Sequence, residues 1–256
     1  MNCYVINLDR EKERWKLIEE SFSGLPLNLI RIPAVDVSRE PRYLEKEFHD
    51  ARKFRRTANR NAKNGEIGCY VSHLKALECF LKSGDEHAII CEDDVEPQAN
   101  VCEILEETLK FSEHWDLLRL AGCRKKNFVP MRKLLPGAEL GWNVKGFTIT
   151  AAYAINRKAA QFVLEHFFPM TLQYDLMLFS GWPEMKEMSV SPPPFQLNAL
   201  KDLSTIGRRN QQWNDFMKIN WFSSLIFKWK SRRRRYRIQI QRIRDFQKTG
   251  IQNEIR

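Results

Sequence analysis

Three acids in a row, Glu92-Asp93-Asp94, follow directly on the apolar run Ala88-Ile89-Ile90-Cys91, and Val95-Glu96-Pro97 closes the segment. A short apolar run bounded by turn residues predicts a buried strand of the kind found in parallel sheets. The acids then stand at the carboxyl end of that strand, where open α/β sheets keep their ligand crevice. Adjacent carboxylates repel one another and lose hydration on burial unless a cation compensates them. Oxygen ligands suit hard divalent cations, so the chemistry expected is Mg2+ or Mn2+ binding through Glu92, Asp93 and Asp94. Glu92 and Asp94 are two apart and project to one side of an extended backbone. The plainer alternative for the same residues is a solvated turn that leads into the next helix.

The elements that must position these acids are legible around them. Residues 2–7 read as a first strand, and Arg10 to Phe22 as an amphipathic helix with Trp15, Ile18 and Phe22 on one face. Gly24 and Pro26 end that helix, and residues 28–32 read as a second strand. A β-α-β opening predicts a parallel sheet. The stretch from Ser38 to Asn64 carries nine bases and four acids, which predicts a largely solvated face, with a short helix plus a mobile loop as the alternative. Gly65-Glu66-Ile67-Gly68 opens a helix that runs to about Lys82, with Val71, Leu74 and Leu81 as its core stripe and Ser83-Gly84 as its end. A helix over about 98–111 and a buried strand over 115–120 follow the acids. Residues 122–147 are turn-rich and give no assignment. A β-prone run at 147–155 leads into a helix at 157–167, and 172–179 is a short apolar segment with one acid, Asp175. Pro192-Pro193-Pro194 and the stretch around Ser204 read as loop.

A chain of 256 residues can bury one substantial core. Its net charge of +10 is unevenly spread: Lys218 to Arg256 holds twelve bases and two acids, and the preceding residues hold thirty of each. The organisation predicted is one domain over 1–217 and a basic helical tail over 218–256. The six cysteines form no CxxC pair. Cys69 and His73 stand at i, i+4, but no second pair with zinc spacing accompanies them. The N-terminal residues lack the basic and long apolar regions of a signal peptide, and no segment offers the ~18 apolar residues that a bilayer crossing needs. The expectation is a cytoplasmic protein.

Taken together and in order, several motifs resemble glycosyltransferase family 25. They are Val5-Ile6-Asn7-Leu8-Asp9-Arg10 with Arg14, Gly65-Glu66-Ile67-Gly68-Cys69 with Ser72-His73, Ile89-Ile90-Cys91-Glu92-Asp93-Asp94-Val95, Ala152-Tyr153-Ala154-Ile155, Asp175, and Ser204-Thr205-Ile206. The resemblance covers about residues 1–210. It implies a GT-A-like α/β fold, a mostly parallel sheet flanked by helices, and a divalent metal (Mn2+ or Mg2+) held by the acidic motif against a sugar nucleotide. It also implies inverting transfer, most often of galactose from UDP-galactose, onto a lipooligosaccharide or lipopolysaccharide acceptor. The motif departs from a strict Asp-x-Asp because Glu92 takes the first position.

Those roles make physical sense. Charge develops on a nucleotide diphosphate as it leaves, and a metal held by Asp94, with Glu92 or Asp93, would stabilise it. Inversion needs one base for the acceptor hydroxyl. Asp175 is the candidate, as a lone carboxylate in an apolar segment, with Glu184 in reserve; a structural acceptor is the other reading of Asp175. The resemblance implies that Asn7, Leu8, Arg10 and Arg14 lie where the nucleotide binds. Asp93, Ser72, His73, Lys75, Ser204 and Thr205 complete the candidate donor contacts. Arg14 and Lys75 read equally as surface charges, His73 as a satisfied structural histidine, and Ser204-Thr205 as a local turn.

In the tail, residues 221–229 supply aromatic and aliphatic side chains beside Arg232-Arg233-Arg234-Arg235, with Ile238, Ile240, Ile243 and Phe246 spaced beyond. That pairing suits the headgroup region of an anionic membrane, and places the enzyme at the inner face of the cytoplasmic membrane beside a lipid-linked acceptor. The alternative from a different class is a nucleic-acid-binding protein or metal nuclease using the same acids and tail. A nuclease predicts bases near the acids, and the neutral body argues against it, so no nucleic acid is expected as a partner.

Overall fold

The computed structural model describes residues 1–122, 127–144, 149–198 and 217–248. β1 (Asn2–Asn7) is joined through α1 (Lys12–Ser21) to β2 (Asn28–Pro33), which lies parallel beside it with Asn2 opposite Asn28. β3 (His87–Glu92) flanks β1 on the other side, also parallel, with Cys3 opposite Ile89 and Ile6 opposite Glu92. Asn7 and the first acid therefore finish at the same end of the sheet.

The sheet continues through β8 (Ala152–Asn156), β5 (Leu117–Arg119), β9 (Glu187–Ser191) and the hairpin β6 (Phe128–Leu135) and β7 (Ala138–Asn143), in the order β2-β1-β3-β8-β5-β9-β7-β6. β8 and β7 run against their neighbours, and the other six strands share one direction. The expected α/β architecture, a mostly parallel sheet flanked by helices, is what forms. β4 (Val95–Pro97) and β10 (Phe195–Leu197) make a separate two-stranded ribbon just past the acids.

Both faces of the central strands are buried, which is why β3 reads as unbroken apolar sequence. Ala88 and Ile90 join a core formed with α3 (Asn64–Ser83), α5 (Arg157–His166) and α6 (Tyr174–Leu178). Ile89 and Cys91 face a second core formed with α1 and α4 (Val101–Leu109).

Three stretches differ from the sequence expectation. The unassigned 122–147 segment contains the β6–β7 hairpin, whose Pro130 and Lys133 sit at register shifts that blur the alternating pattern. The charged 38–64 stretch is not wholly solvated: α2 (Ala51–Ala58) buries Phe54, and Tyr43 is buried too. The proline run at 192–194 separates two strands, β9 and β10, that the sequence reading missed.

The basic tail forms α7 (Met217–Lys248), and its two halves differ. Arg235, Gln239 and Ile243 are buried against the body, and Ile240 and Phe246 pack on the second core. Arg235 and Arg119 both donate to the buried Glu187, at 2.6 and 3.1 Å. Ile240, Ile243 and Phe246, three of the four apolar residues expected to meet lipid, thus face protein. Leu225, Ile226 and Trp229, in the earlier turns, stay exposed. Among the described residues no helix is long and apolar enough to cross a membrane.

Candidate functional site

The acidic turn is built from three directions. Asp93 is held by its neighbours on the first β-α unit: Asn7 Nδ2 donates to one carboxylate oxygen at 2.7 Å, and Arg14 donates to the other at 2.8 Å. Asn7 is itself fixed, because its Oδ1 accepts from Arg31 Nε at 2.9 Å. Burial pushes the Asp93 carboxyl up, against the pull of Asn7 and Arg14. Asp93 is thus an anchor for the turn, with both oxygens engaged.

Asp94 is the opposite case. Its Oδ1 is buried and has no hydrogen-bond partner. Burial, then the adjacent Glu92 and Asp93 charges, push its carboxyl up to about 7. Its backbone carbonyl accepts from Asn198 N–H at 2.8 Å, so the ribbon after the turn fixes the main chain while the side-chain Oδ1 is left without a partner.

Glu92 meets the far side of the sheet. Its Oε1 accepts from Thr150 Oγ1 at 2.9 Å and lies 3.4 Å from His73 Nε2. Burial raises this carboxyl, but His73, with Thr150 and Arg14, outweighs it and holds the group below the usual range. His73 is fully buried. Its ring stacks on Tyr174 with centroids 4.3 Å apart, and its Nδ1 lies 3.2 Å from the Tyr153 hydroxyl. That hydroxyl is 3.0 Å from the hydroxyl of Tyr174.

The α3 motif explains how His73 reaches this position. Glu66 reaches back to accept from the Lys63 N–H at 2.9 Å and pairs with Arg60, which fixes the first turn. Gly68 runs against the loop after β2: a Cβ there would lie 2.4 Å from the Val35 carbonyl oxygen. Ser72 Oγ then accepts from Val35 N–H at 2.8 Å and donates to the Gly68 carbonyl at 2.6 Å. Helix and loop are clamped together, and the next residue, His73, is delivered to the acids.

The predicted site residues separate accordingly. Glu92, Asp93, Asp94, Asn7, Arg14 and His73 come together. Ser72 is fully buried in the clamp, so it serves structure rather than donor contact. Lys75 lies over the Tyr43 ring at 5.5 Å, away from the acids. Arg10 pairs with Asp36, and the Leu8 carbonyl accepts from Glu11 in the turn after β1. Asp175 stands in the first turn of α6, directly after the Tyr174 that stacks on His73, and its Oδ1 accepts from Leu176 N–H at 2.7 Å. Glu184 is exposed and three residues before β9, at the sheet end opposite the acids, so it is not positioned as a base for this site. Ser204 and Thr205 lie outside the described residues. Thr150, Tyr153 and Tyr174 were missed as site residues, although Tyr153 lies in a motif that the sequence reading quoted.

A hard divalent cation fits the donor set. An unpartnered buried carboxylate oxygen on Asp94, beside Glu92 and Asp93, is an arrangement that a bound cation would stabilise. Asp94 and Glu92 are the residues that would hold it, since Asp93 is already committed to Asn7 and Arg14.

A sequence model described as glycosyltransferase family 25 (LPS biosynthesis protein) matches residues 1–178. A Haemophilus influenzae protein named "Putative glycosyltransferase" is 27% identical over 199 residues, covering 73% of this chain and 66% of that protein. A "Glycosyltransferase 25 family member" from Aedes aegypti is 28% identical over 182 residues, covering 64% of this chain. The chain spans 66% of the length of the first of these relatives and 28% of the second. Among solved structures, A197 from STIV is similar with a TM-score of 0.41 and 14% identity, covering 73% of this chain and 80% of that one. That score is too low to carry an argument.

Proposed function

The chain belongs to glycosyltransferase family 25, and on that premise we propose that it transfers a sugar from a nucleotide diphosphate donor bound at the acidic end of β3. The observation that carries this reading is Asp94, whose buried Oδ1 has no hydrogen-bond partner and whose carboxyl is pushed up to about 7. A divalent cation, Mn2+ or Mg2+, held by Asp94 and Glu92 would supply charge stabilisation to the departing diphosphate. The protein's own part is positioning. Asn7 and Arg14 lock Asp93, and His73 and Thr150 orient Glu92, so the turn meets its ligand preorganised.

The finer assignment is inverting transfer of galactose from UDP-galactose to a lipooligosaccharide or lipopolysaccharide sugar. Asp175 is the base proposed for the acceptor hydroxyl. Burial first, and then the charges of Glu92, Asp175 and Asp94, raise the thiol of Cys69, a residue one helical turn from His73, which supports a place for Asp175 near those acids. A lipid-linked acceptor calls for an enzyme at the membrane face. The exposed Leu225, Ile226 and Trp229, followed by Lys230, Arg232, Arg233 and Arg234, support docking of the first part of α7 on an anionic inner-leaflet surface.

The test is turnover. Purified protein with Mn2+, an oligosaccharide acceptor and a panel of nucleotide sugars should release UDP fastest from UDP-galactose, and Asp175→Asn should lower that rate by about 100-fold or more. A faster release from another nucleotide sugar would reassign the donor. Failure with every nucleotide sugar, together with cleavage of DNA or RNA, would replace the transferase reading by the nuclease one.

A further inference from the structure

Cys69, His73 and Glu92 bring a thiol sulfur, an imidazole nitrogen and a carboxylate oxygen within 4.8 Å of one another. We propose that these three residues form a Zn2+ site beside the hard-cation site, sharing Glu92 with it. The site itself stands on its own geometry; only its consequence for turnover rests on the donor reading above.

The ligand chemistry is the first argument. Sulfur, nitrogen and carboxylate oxygen together form a borderline-soft set that suits Zn2+ far better than Mg2+ or Mn2+, and three protein ligands leave a fourth position open. The second argument is the outer shell. A histidine that binds metal through Nε2 needs a neutral ring with its other N–H directed to an acceptor. His73 Nδ1 faces the Tyr153 hydroxyl at 3.2 Å, and that hydroxyl can pass its own proton to Tyr174 at 3.0 Å. Glu92 is likewise oriented, by Thr150 at 2.9 Å. Two of the three ligands thus already carry the supporting partners that a metal site requires.

Access is the third argument. His73 is fully buried, but Cys69 and Glu92 are only partly so, which leaves the cluster open on one side. Binding would exchange the thiol proton for the metal: the S–H bond breaks, a Zn–S bond forms, and one proton leaves to solvent. Sequence spacing could not complete the set, because the third ligand comes from a strand nineteen residues beyond His73. Zn2+ seated here withdraws Glu92 from Asp94, so micromolar zinc is expected to inhibit a Mn2+-supported reaction.

Cobalt(II) titration of the metal-free full chain tests the site without assaying turnover. The wild type should show near-ultraviolet thiolate-to-cobalt charge-transfer absorption that Zn2+ abolishes by displacement. Cys69→Ser, a near-isosteric change, should lose that absorption and bind Zn2+ more than about tenfold more weakly. Glu92→Gln, on a part-exposed side chain, should weaken Zn2+ while keeping the absorption. Absence of the charge-transfer band in wild type at cobalt saturation would overturn the proposal. So would Zn2+ affinity in Cys69→Ser within about twofold of wild type. Mn2+ and UDP binding, measured separately, keep the two readings apart: their failure in wild type removes the donor site and leaves the cobalt spectrum to decide the zinc site.

Discussion

Arg14 donates to Asp93 across 2.8 Å, joining the first helix to the acidic turn, and that pairing leaves Asp94 as the carboxylate with an unpartnered buried oxygen. Two adjacent acids that look equivalent in sequence therefore have different tasks. Asp93→Ala should destabilise the protein by about 1–3 kcal/mol, because it removes the buried acceptor that Arg14 and the Asn7 amide share. Asp94→Ala should not destabilise the metal-free protein and should remove the cation response. Thermal melts with and without Mn2+ read both effects.

The pH dependence of Asp94 has a definite sign. Its folded carboxyl is pushed up to about 7, above the ordinary carboxylate value of about 3.9. The folded state therefore holds a proton that the unfolded state releases first, and stability falls as pH rises through that window. Below about pH 4 both states are protonated and there is no penalty; above about pH 7 the penalty is complete. Asp94→Asn should accordingly raise the stability of the metal-free protein by about 4 kcal/mol at pH 8 and by nothing at pH 4. Urea melts at the two pH values check it.

The Gly68–Val35 contact sets a second stability prediction. Gly68→Ala must push the Val35 carbonyl back from 2.4 Å, and overpacking of that kind costs about 1–3 kcal/mol. Ser72→Ala leaves the buried Val35 N–H without its acceptor, at a similar cost of about 1–3 kcal/mol. Because Ser72 touches the clamp and not the acids, UDP binding per folded molecule should be kept, which calorimetry on the folded fraction measures.

Glu187 neutralises two buried arginines at once, Arg119 and Arg235. Breaking a buried pair from one side costs about 3–5 kcal/mol, so Glu187→Ala should be among the most damaging single changes. If α7 were an independent tail, Arg235→Ala would be silent in a thermal melt. With Glu187 left buried beneath it, a large drop is expected.

The outward turns of α7 carry the membrane prediction. Each base near an anionic surface contributes about 1 kcal/mol, so Arg233→Ala should lower binding to phosphatidylglycerol vesicles by about fivefold. Trp229→Ala, at a side chain 58% exposed, should lower it further without altering the melt. Sedimentation with anionic and neutral vesicles tests both changes.

The acid-ended strand was legible because β3 is buried on both faces and ends abruptly in charge. The β1-α1-β2 opening was legible because its pairing is local. The β6–β7 hairpin was not, since its register shifts break the period-two pattern that marks a strand. Within the site, Asn7, Arg14 and His73 carried the motif into space, but their tasks are long-range. Asn7 and Asp93 are separated by 86 residues, and Glu92 and Thr150 by 58. No spacing rule reaches across such distances. Ser72 looked like a ligand contact and is a clamp, because a buried serine beside a close-packed glycine reads the same in one dimension. The tail misled in part because its isoleucines suit lipid and protein equally; the buried Glu187 beneath Arg235 decides for protein.

The most direct test of the account is calorimetric binding of UDP in the presence and absence of Mn2+, in wild type and in Asp94→Asn. UDP binding should depend on Mn2+ in wild type and weaken by at least about tenfold in the variant, near 1.4 kcal/mol or more. Equal UDP affinity in the two proteins, or binding indifferent to Mn2+, would contradict a cation-assisted donor site at the end of β3.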